Sequence, residues 1–403
     1  MSLSTATSPA CAVIVGASHA GSQLAVHLRK SGWVGRIVLV GEESWLPYHR
    51  PPLSKAVMSG TKEPEAIQLR PEALYQNSEI ELRLSTRVDR ILADQQRVLL
   101  ATGEALSYDV LALCTGASPL TLPLGQGLSG VCYLRTLDDV LAIRAQLAQV
   151  KQAVVIGAGY IGLEAAAVLR QLGVDVTVLE RAERVLKRVT GEQVSRYFAA
   201  LHQQHGVALH CGVEVTAIHG TNRVESVMCA DGSVFPAQLV IVGVGVSPQT
   251  ALAATAGLQL DNGICVNEYG QSSDPRIFAA GDCASHPSRL YQRRLRLESV
   301  QNANDQSRVV AQNMVAIQQQ REPGDVYDAV PWFWSDQFDI KLQSAGLHQD
   351  FDHTELEGSL DPADTGGFVV RYFRQGTLIA ADCVNRPKDF MAIKTALTNQ
   401  SSS

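Results

Sequence analysis

Hydrophobic and polar positions along the chain fall into short apolar runs that alternate with helix-periodic stretches. CAVIVG (11–16) is an unbroken apolar run and predicts a buried strand. SQLAVHLRKSG (22–32) repeats its apolar positions at helical spacing, and RIVLVGEE (36–43) predicts a second strand. The same order then recurs: QAVVIG (152–157) as strand, GLEAAAVLRQLG (162–173) as helix and DVTVLE (175–180) as strand. Two copies of one β-α-β unit, about one domain length apart, predict an α/β protein built on parallel sheets. Between them, YDVLALCTGASP (108–119) reads as a strand running into a glycine turn, and TLDDVLAIRAQLAQV (136–150) as a helix. QLVIVGVGVSP (238–248) and RIFAAGDCA (276–284) follow the second copy as further strands. Past Pro323–Gly324 the pattern changes to PWFWSDQFDIKLQSAG (331–346), GGFVVRYFRQGTLIAADCV (366–384) and a helix-like stretch from Pro387. That predicts a small α+β unit with antiparallel strands from about residue 326. Residues 1–9 and the closing NQSSS read as short disordered tails.

Composition narrows the function classes. A chain of 403 residues with 46% hydrophobic positions is long and apolar enough for two or three packed domains. No apolar run approaches the roughly 18 residues of a spanning helix, so no membrane insertion is expected. The N-terminus lacks a basic start and an apolar core, which argues against a secretory signal. A net charge of −6 with no dominant Lys/Arg block argues against nucleic-acid binding. The 8 cysteines are scattered, with no C-x-x-C pair and no His/Cys cluster. They read as free thiols of a cytoplasmic protein, and no metal site is expected.

The candidate chemistry lies where the two copies turn from strand to helix. GAGYIG supplies Gly157, Gly159 and Gly162: the first for the tight turn, the second for close approach of a pyrophosphate, the third for helix–strand packing. Glu180 closes the next strand, where a carboxylate accepts from ribose hydroxyls and repels a 2′-phosphate, favouring NADH over NADPH. Arg181 and Arg184 lie close by and weaken that preference. GASHAG in the first copy keeps Gly16 and Gly21, but Ser18 stands where the middle glycine belongs; Glu42 follows the next strand. Alone this motif is weak, and as half of a pair it is credible. Thr115 and Gly116 in CTGAS, and Gly281 and Asp282 in FAAGDCA, are turn residues; an Asp at a strand end can reach a polyol such as the ribityl chain of FAD. Arg289, Arg293, Arg294 and Arg296 crowd into RLYQRRLRLE, a local basic patch in an acidic protein. Such runs are usually solvated surface; this one suits an acidic partner equally well. No chemistry is assigned to any of the 10 histidines.

GASHAG, PYHRPPLSK, YLRTLDD, GAGYIGLEAA, FAAGDCA, RLESVQNA and PWFWSDQ, in that order, resemble the FAD- and NADH-dependent ferredoxin reductases that serve bacterial oxygenases. The resemblance spans nearly the whole chain and implies a glutathione-reductase-like fold. Its domains would be an FAD-binding domain at 10–118 and 246–325, an NAD-binding domain at 119–245 and a C-terminal domain at 326–403. It implies FAD contacts at Gly16, Ala20, Glu42, Lys55, Val88, Arg135, Asp282 and Val300, beside Ser18, Gly21, Thr115, Gly116 and Gly281 of the same turns. NAD contacts would fall on Gly157, Gly159, Ile161, Gly162, Glu164, Glu180 and Gly245. Lys55 would sit near flavin N5 and pair with Glu164, the two forming the catalytic pair; the bland reading of Lys55 is a solvated helix lysine. Disulfide reductases of this fold carry a redox cysteine pair in the region of residues 43–66, and this chain has none there. Electrons would therefore leave from the flavin itself, one at a time, to a 2Fe-2S ferredoxin that feeds a cytochrome P450 or a Rieske-type oxygenase. Arg289, Arg293 and Arg294 would dock that ferredoxin, with Trp334 as a candidate electron exit. A helix after ESVQ, with Asn302 or Asn304 as cap, would aim its N-terminus at the flavin. Two alternatives stand beside this reading: an NADH oxidase or peroxidase, and an NADH-sensing interaction protein of the apoptosis-inducing-factor type. Oligomeric state is not legible.

Overall fold

The computed structural model describes residues 10–401, so the tail expected over 1–9 lies outside the described residues. By contacts the chain divides into two compact units: one runs up to His49 and takes in Gln68–Ala117 and Pro248–Pro331, the other comprises Arg50–Ile67, Ser118–Ser247 and Trp332 onward.

The first unit is built on a 5-stranded parallel sheet in the order Ile277–Ala279, Val110–Leu113, Cys11–Val15, Arg36–Val40, Ile80–Arg83. The strand that feeds GASHAG is central, which explains its unbroken apolar run: both faces are covered. Helix His19–Lys30 buries Leu24, Ala25 and Leu28 against one face together with helix Val300–Gln318, and Ser307 shares its hydroxyl proton between Ala20 O at 2.8 Å and Ala303 O at 2.6 Å. A 3-stranded antiparallel sheet, Val88–Leu92, Arg97–Leu100 and Ala105–Ser107, packs on the other face.

The second unit repeats this plan. Its 5-stranded parallel sheet runs Ala208–Cys211, Asp175–Glu180, Gln152–Ile156, Leu239–Val242, Val131–Tyr133, again with the glycine-motif strand in the centre. It too carries a 3-stranded antiparallel sheet, Val215–Gly220, Val224–Cys229 and Val234–Pro236. The echo heard in the hydrophobic pattern is therefore a repeat of topology as well as of one motif. In both sheets the central strand has its sequence neighbour on one side and a later strand on the other. That is the switch point at which open α/β sheets bind ligands.

The same unit also holds a 5-stranded antiparallel sheet from Trp332–Gln337 to Thr377–Val384, closed by helix Pro387–Ser401. The closing segment NQSSS is thus corrected in part: Asn399 to Ser401 continue this helix. Residues 50–67, which the sequence reading assigned to the 10–118 segment, group by contact with the second unit.

Candidate functional site

In each fingerprint the outer glycines are dictated by backbone crowding. Gly16 has φ +111°, and a Cβ there would lie 2.1 Å from Cys114 O; a Cβ on Gly21 would lie 1.9 Å from Gly16 O. Gly157 has φ +102° with Gly243 O 2.4 Å from its would-be Cβ, and Gly162 meets Gly157 O at 2.0 Å. Gly159 differs: a Cβ there meets nothing within 4 Å. Packing does not require glycine at that position, and the open cradle above the turn fits a pyrophosphate.

The helices that start at these turns fit the same group. Neither His19–Lys30 nor Tyr160–Gln171 has a side-chain cap or an acidic residue in its first turn. Helix Leu137–Leu147, by contrast, carries a full Thr136/Asp139 capping box, and Val300–Gln318 is capped by Ser299, whose hydroxyl accepts from Asn302 N at 3.0 Å. Two positive helix ends are thus left to an anion. Ser299 also corrects the expected cap. Asn302 is committed elsewhere, donating to Leu297 O at 3.0 Å and accepting from the Tyr327 hydroxyl at 2.7 Å.

Glu180 accepts from Ala158 N at 2.6 Å and from Ala182 N at 2.7 Å. The carboxylate therefore clamps the glycine turn to the end of the next strand, and each oxygen retains capacity for another donor. Arg184, the neighbour that clouded the coenzyme preference, is occupied: it donates to Thr190 O at 3.0 Å, Ser195 Oγ at 2.5 Å and Lys187 O at 3.2 Å. Ile161 is 41% exposed on the first helical turn despite its size. Gly245 has φ +118°, and the Arg188 guanidinium lies 3.8 Å from its would-be Cβ.

In the first unit, Gly281, which precedes Asp282, has φ +83° and comes so close to the helix start that a Cβ would lie 3.0 Å from Ala20 Cβ. Thr115 donates to Gln249 O at 2.7 Å and Gly116 O accepts from Gln249 N at 2.9 Å, so these two residues tie together the incoming and returning chain. Val88 packs its side chain into the core and offers a ligand only backbone; Glu42 is exposed; Val300 opens the Ser299-capped helix. Lys55 and Arg135 belong to the second unit, and the other residues expected at FAD belong to the first.

Pro51–Ser54 forms a single 3-10 turn whose two prolines pre-set the backbone and deliver Lys55. Lys55 Nζ lies 2.6 Å from Glu164 Oε2. Glu164 is only 4% exposed and accepts in addition from Ser54 Oγ at 2.5 Å and Ser335 Oγ at 2.7 Å. A buried carboxylate requires such a set of donors. Ser335 itself accepts from Gln337 Nε2 at 3.1 Å, and Gln337 Oε1 faces His202 Nε2 at 2.9 Å. A second buried cluster flanks it: Asp382 accepts from Ser344 Oγ at 2.5 Å and Tyr372 Oη at 2.7 Å, and Tyr372 Oη accepts from Gly191 N at 2.9 Å. Burial pushes the Asp382 carboxyl up to about 6 and raises the Tyr160 and Tyr372 phenols.

The sequence reading missed Ser54, Ser335, Gln337, His202 and Asp382. One signal was available. In WFWSDQ, period two puts Phe333, Ser335 and Gln337 on one face, so polar side chains share the buried face with an aromatic. Trp334 lies on the opposite face, its ring 5.6 Å from that of Trp332.

Two cysteines of the first unit, Cys114 and Cys283, sit in its core. Cys114 and Cys283 are buried free thiols, and burial raises both. Two arginines of the basic patch also have partners within the chain. Arg294 donates to the carbonyls of Val266 and Ser285, and Arg296 pairs with Glu298 at 2.7 Å while donating to Asp282 O at 3.2 Å. Arg289, Arg293 and Arg294 are all exposed. Among the described residues no helix is long and apolar enough to cross a membrane.

Comparison with known proteins agrees with this layout. Residues 11–307 match the family model described as pyridine nucleotide-disulphide oxidoreductase, and residues 332–403 match a reductase C-terminal model. Putidaredoxin reductase of Pseudomonas putida is 44% identical over 96% of this chain and 92% of its own length. A ferredoxin–NAD(P)(+) reductase of Sphingomonas sp. is 44% identical over 94% of this chain and 90% of its own. The crystal structure of the covalent putidaredoxin reductase–putidaredoxin complex superposes with a TM-score of 0.91 at 43% identity, covering 98% of this chain and 94% of that one.

Proposed function

Since the chain belongs to the pyridine nucleotide-disulphide oxidoreductase family, we propose that it is an FAD-containing, NADH-dependent reductase of a 2Fe-2S ferredoxin that serves a cytochrome P450 or a Rieske-type oxygenase in the cytoplasm. Its relatives carry reductase names of this kind. The observation that carries the reading is the doubled fingerprint: two central strands, each ending in a glycine turn and a helix with no side-chain cap.

When bound, FAD and NADH supply the hydride transfer and its division into single electrons. The chain's own residues do the rest. Gly159, Gly162 and the helix at Tyr160 hold the NADH pyrophosphate, Ile161 and Gly245 border it, and Glu180 takes ribose hydroxyls with the lone pairs its two backbone bonds leave over. Gly16, Ser18, Ala20 and Gly21 hold the FAD pyrophosphate, Glu42 and Asp282 its hydroxyls, and Thr115, Gly116, Gly281, Val88, Arg135 and Val300 shape its surroundings. Lys55, held by Glu164, supplies a fixed positive charge for the negative charge that flavin gains on reduction. Arg289, Arg293 and Arg294 form the docking patch for an acidic ferredoxin, and Trp334 is the candidate electron exit. The domain division at 10–118 with 246–325, 119–245 and 326–403 belongs to the same proposal.

An oxidase or peroxidase of this fold working through sulfur needs a reactive thiol. Residues 43–66 hold no cysteine, and Cys114 and Cys283 are buried with raised pKa values. The test is direct: the purified protein is yellow, releases FAD on denaturation, and is bleached by NADH without air. A colourless protein that cannot be reconstituted with FAD contradicts the proposal.

A further inference from the structure

We propose that Ser335, Gln337 and His202 are positioning residues of the reductase: a one-directional chain of hydrogen-bond donors that fixes the Glu164 carboxylate and, through it, the Lys55 ammonium. This rests on the reading that Lys55 serves the flavin.

The direction of the chain follows from what each group can do. Glu164, paired with an ammonium, only accepts, so the single Ser335 hydroxyl proton points to Oε1. Ser335 must then accept, and it does so from Gln337 Nε2 at 3.1 Å. That orients the Gln337 amide with Oε1 toward His202, whose Nε2 at 2.9 Å must carry the proton. His202 Nδ1 is left as a bare nitrogen, buried without a hydrogen-bond partner among the described residues. Burial holds its imidazole down to about 4, so the ring is neutral and its tautomer fixed.

Every donation runs toward Glu164, and such chains strengthen one another in a low-dielectric interior. The consequence is geometric as well as electrostatic. Oε1 is held by Ser335, leaving Oε2 for Lys55 and Ser54. Without Ser335 the carboxylate can turn both oxygens to Lys55 and draw the ammonium toward itself. The far end of the chain is anchored too. Phe338, at φ +56° in the tight hairpin after Gln337, stacks on His205 at 3.8 Å and meets His202 edge-on at 5.1 Å. The hairpin and helix Glu192–Gln204 are thereby clamped where the chain begins.

The test uses the FAD-loaded protein. Ser335→Ala, Ser335→Thr, Gln337→Met and Lys55→Ala are compared by anaerobic stopped-flow reduction with NADH and by flavin midpoint potential, after FAD content and thermal midpoint establish the fold. Ser335→Ala and Gln337→Met are expected to lower the limiting reduction rate about tenfold, the scale of one hydrogen bond to a charged group, with NADH affinity unchanged. Their potentials move about 30 mV negative, the two-electron equivalent of tenfold. Ser335→Thr keeps the hydroxyl and restores both readouts. Gln337→Met conserves volume and carries the test if Ser335→Ala loses its flavin. If Lys55→Ala slows reduction while Ser335→Ala and Gln337→Met match wild type in rate and potential, the chain is packing alone and the inference fails. If Ser335→Thr falls as far as Ser335→Ala, side-chain volume and not donation is responsible, and it fails as well. A Lys55→Ala protein with wild-type rate and potential would instead remove Lys55 from the flavin, and the positioning role with it.

Discussion

Replacing Glu180 separates two roles that its geometry combines. Its carboxylate accepts from Ala158 N at 2.6 Å and Ala182 N at 2.7 Å, so it supports the glycine turn whatever coenzyme arrives. Losing a hydrogen bond to a charged group costs about 1.5–3 kcal/mol, and Glu180→Ala should weaken NADH and NADPH alike by roughly tenfold or more on that account. The second role is discrimination. Two unit charges 4 Å apart repel by about 1 kcal/mol in water, and a 2′-phosphate carries nearly two, so removing the carboxylate relieves about 2 kcal/mol for NADPH alone. That is roughly 30-fold in the ratio of kcat/KM for the two coenzymes. Glu180→Gln loses the same charge while keeping one acceptor oxygen, and should show the same ratio change with a smaller common loss. The assay is ferricyanide reduction with each coenzyme at low ionic strength. A ratio unchanged in both variants, with NADH and NADPH weakened equally, would leave Glu180 as a brace for the turn and take it off the ribose.

Two further outcomes follow from charge and burial. Arg289→Glu with Arg293→Glu should raise KM for an acidic ferredoxin, the effect shrinking with added salt while ferricyanide reduction stays intact; equal losses with both acceptors would point to a damaged fold. Burial lowers His202 and His286 to about 4. Their folded pKa values lie below the unfolded value near 6.5, so the stability each contributes is present above about pH 6.5 and is lost as pH falls toward 4, up to about 3 kcal/mol apiece. The urea midpoint should fall across that window, less steeply in His202→Gln and His286→Gln; equal slopes in wild type and variants would refute the assignment.

Much of the fold was legible because backbone constraints write themselves into sequence. Gly16, Gly21, Gly157 and Gly162 face carbonyl oxygens that admit no side chain, and central strands covered on both faces must be apolar throughout. The repeat of these features gave the doubled α/β plan. The polar interior was less legible, since its partners come from distant segments: Glu164 meets Ser54 and Ser335 only through the tertiary fold. Composition likewise cannot show what the arginines of the basic patch touch: Arg294 donates to the carbonyls of Val266 and Ser285, neutral acceptors that leave its charge in place. The cap of helix Val300–Gln318 was misassigned because several polar residues near its start could cap it, and the backbone turns helical just after Ser299.

The most direct test of the central claim is a paired turnover measurement: catalytic amounts of the protein, NADH in excess, and either a 2Fe-2S ferredoxin under argon or dissolved oxygen alone as acceptor. The account predicts rapid, salt-sensitive ferredoxin reduction that survives alkylation of accessible thiols, with oxygen a poor acceptor by comparison. Turnover that prefers oxygen and ignores every ferredoxin, or ferredoxin reduction abolished by alkylation in a protein that otherwise stays folded, would contradict it.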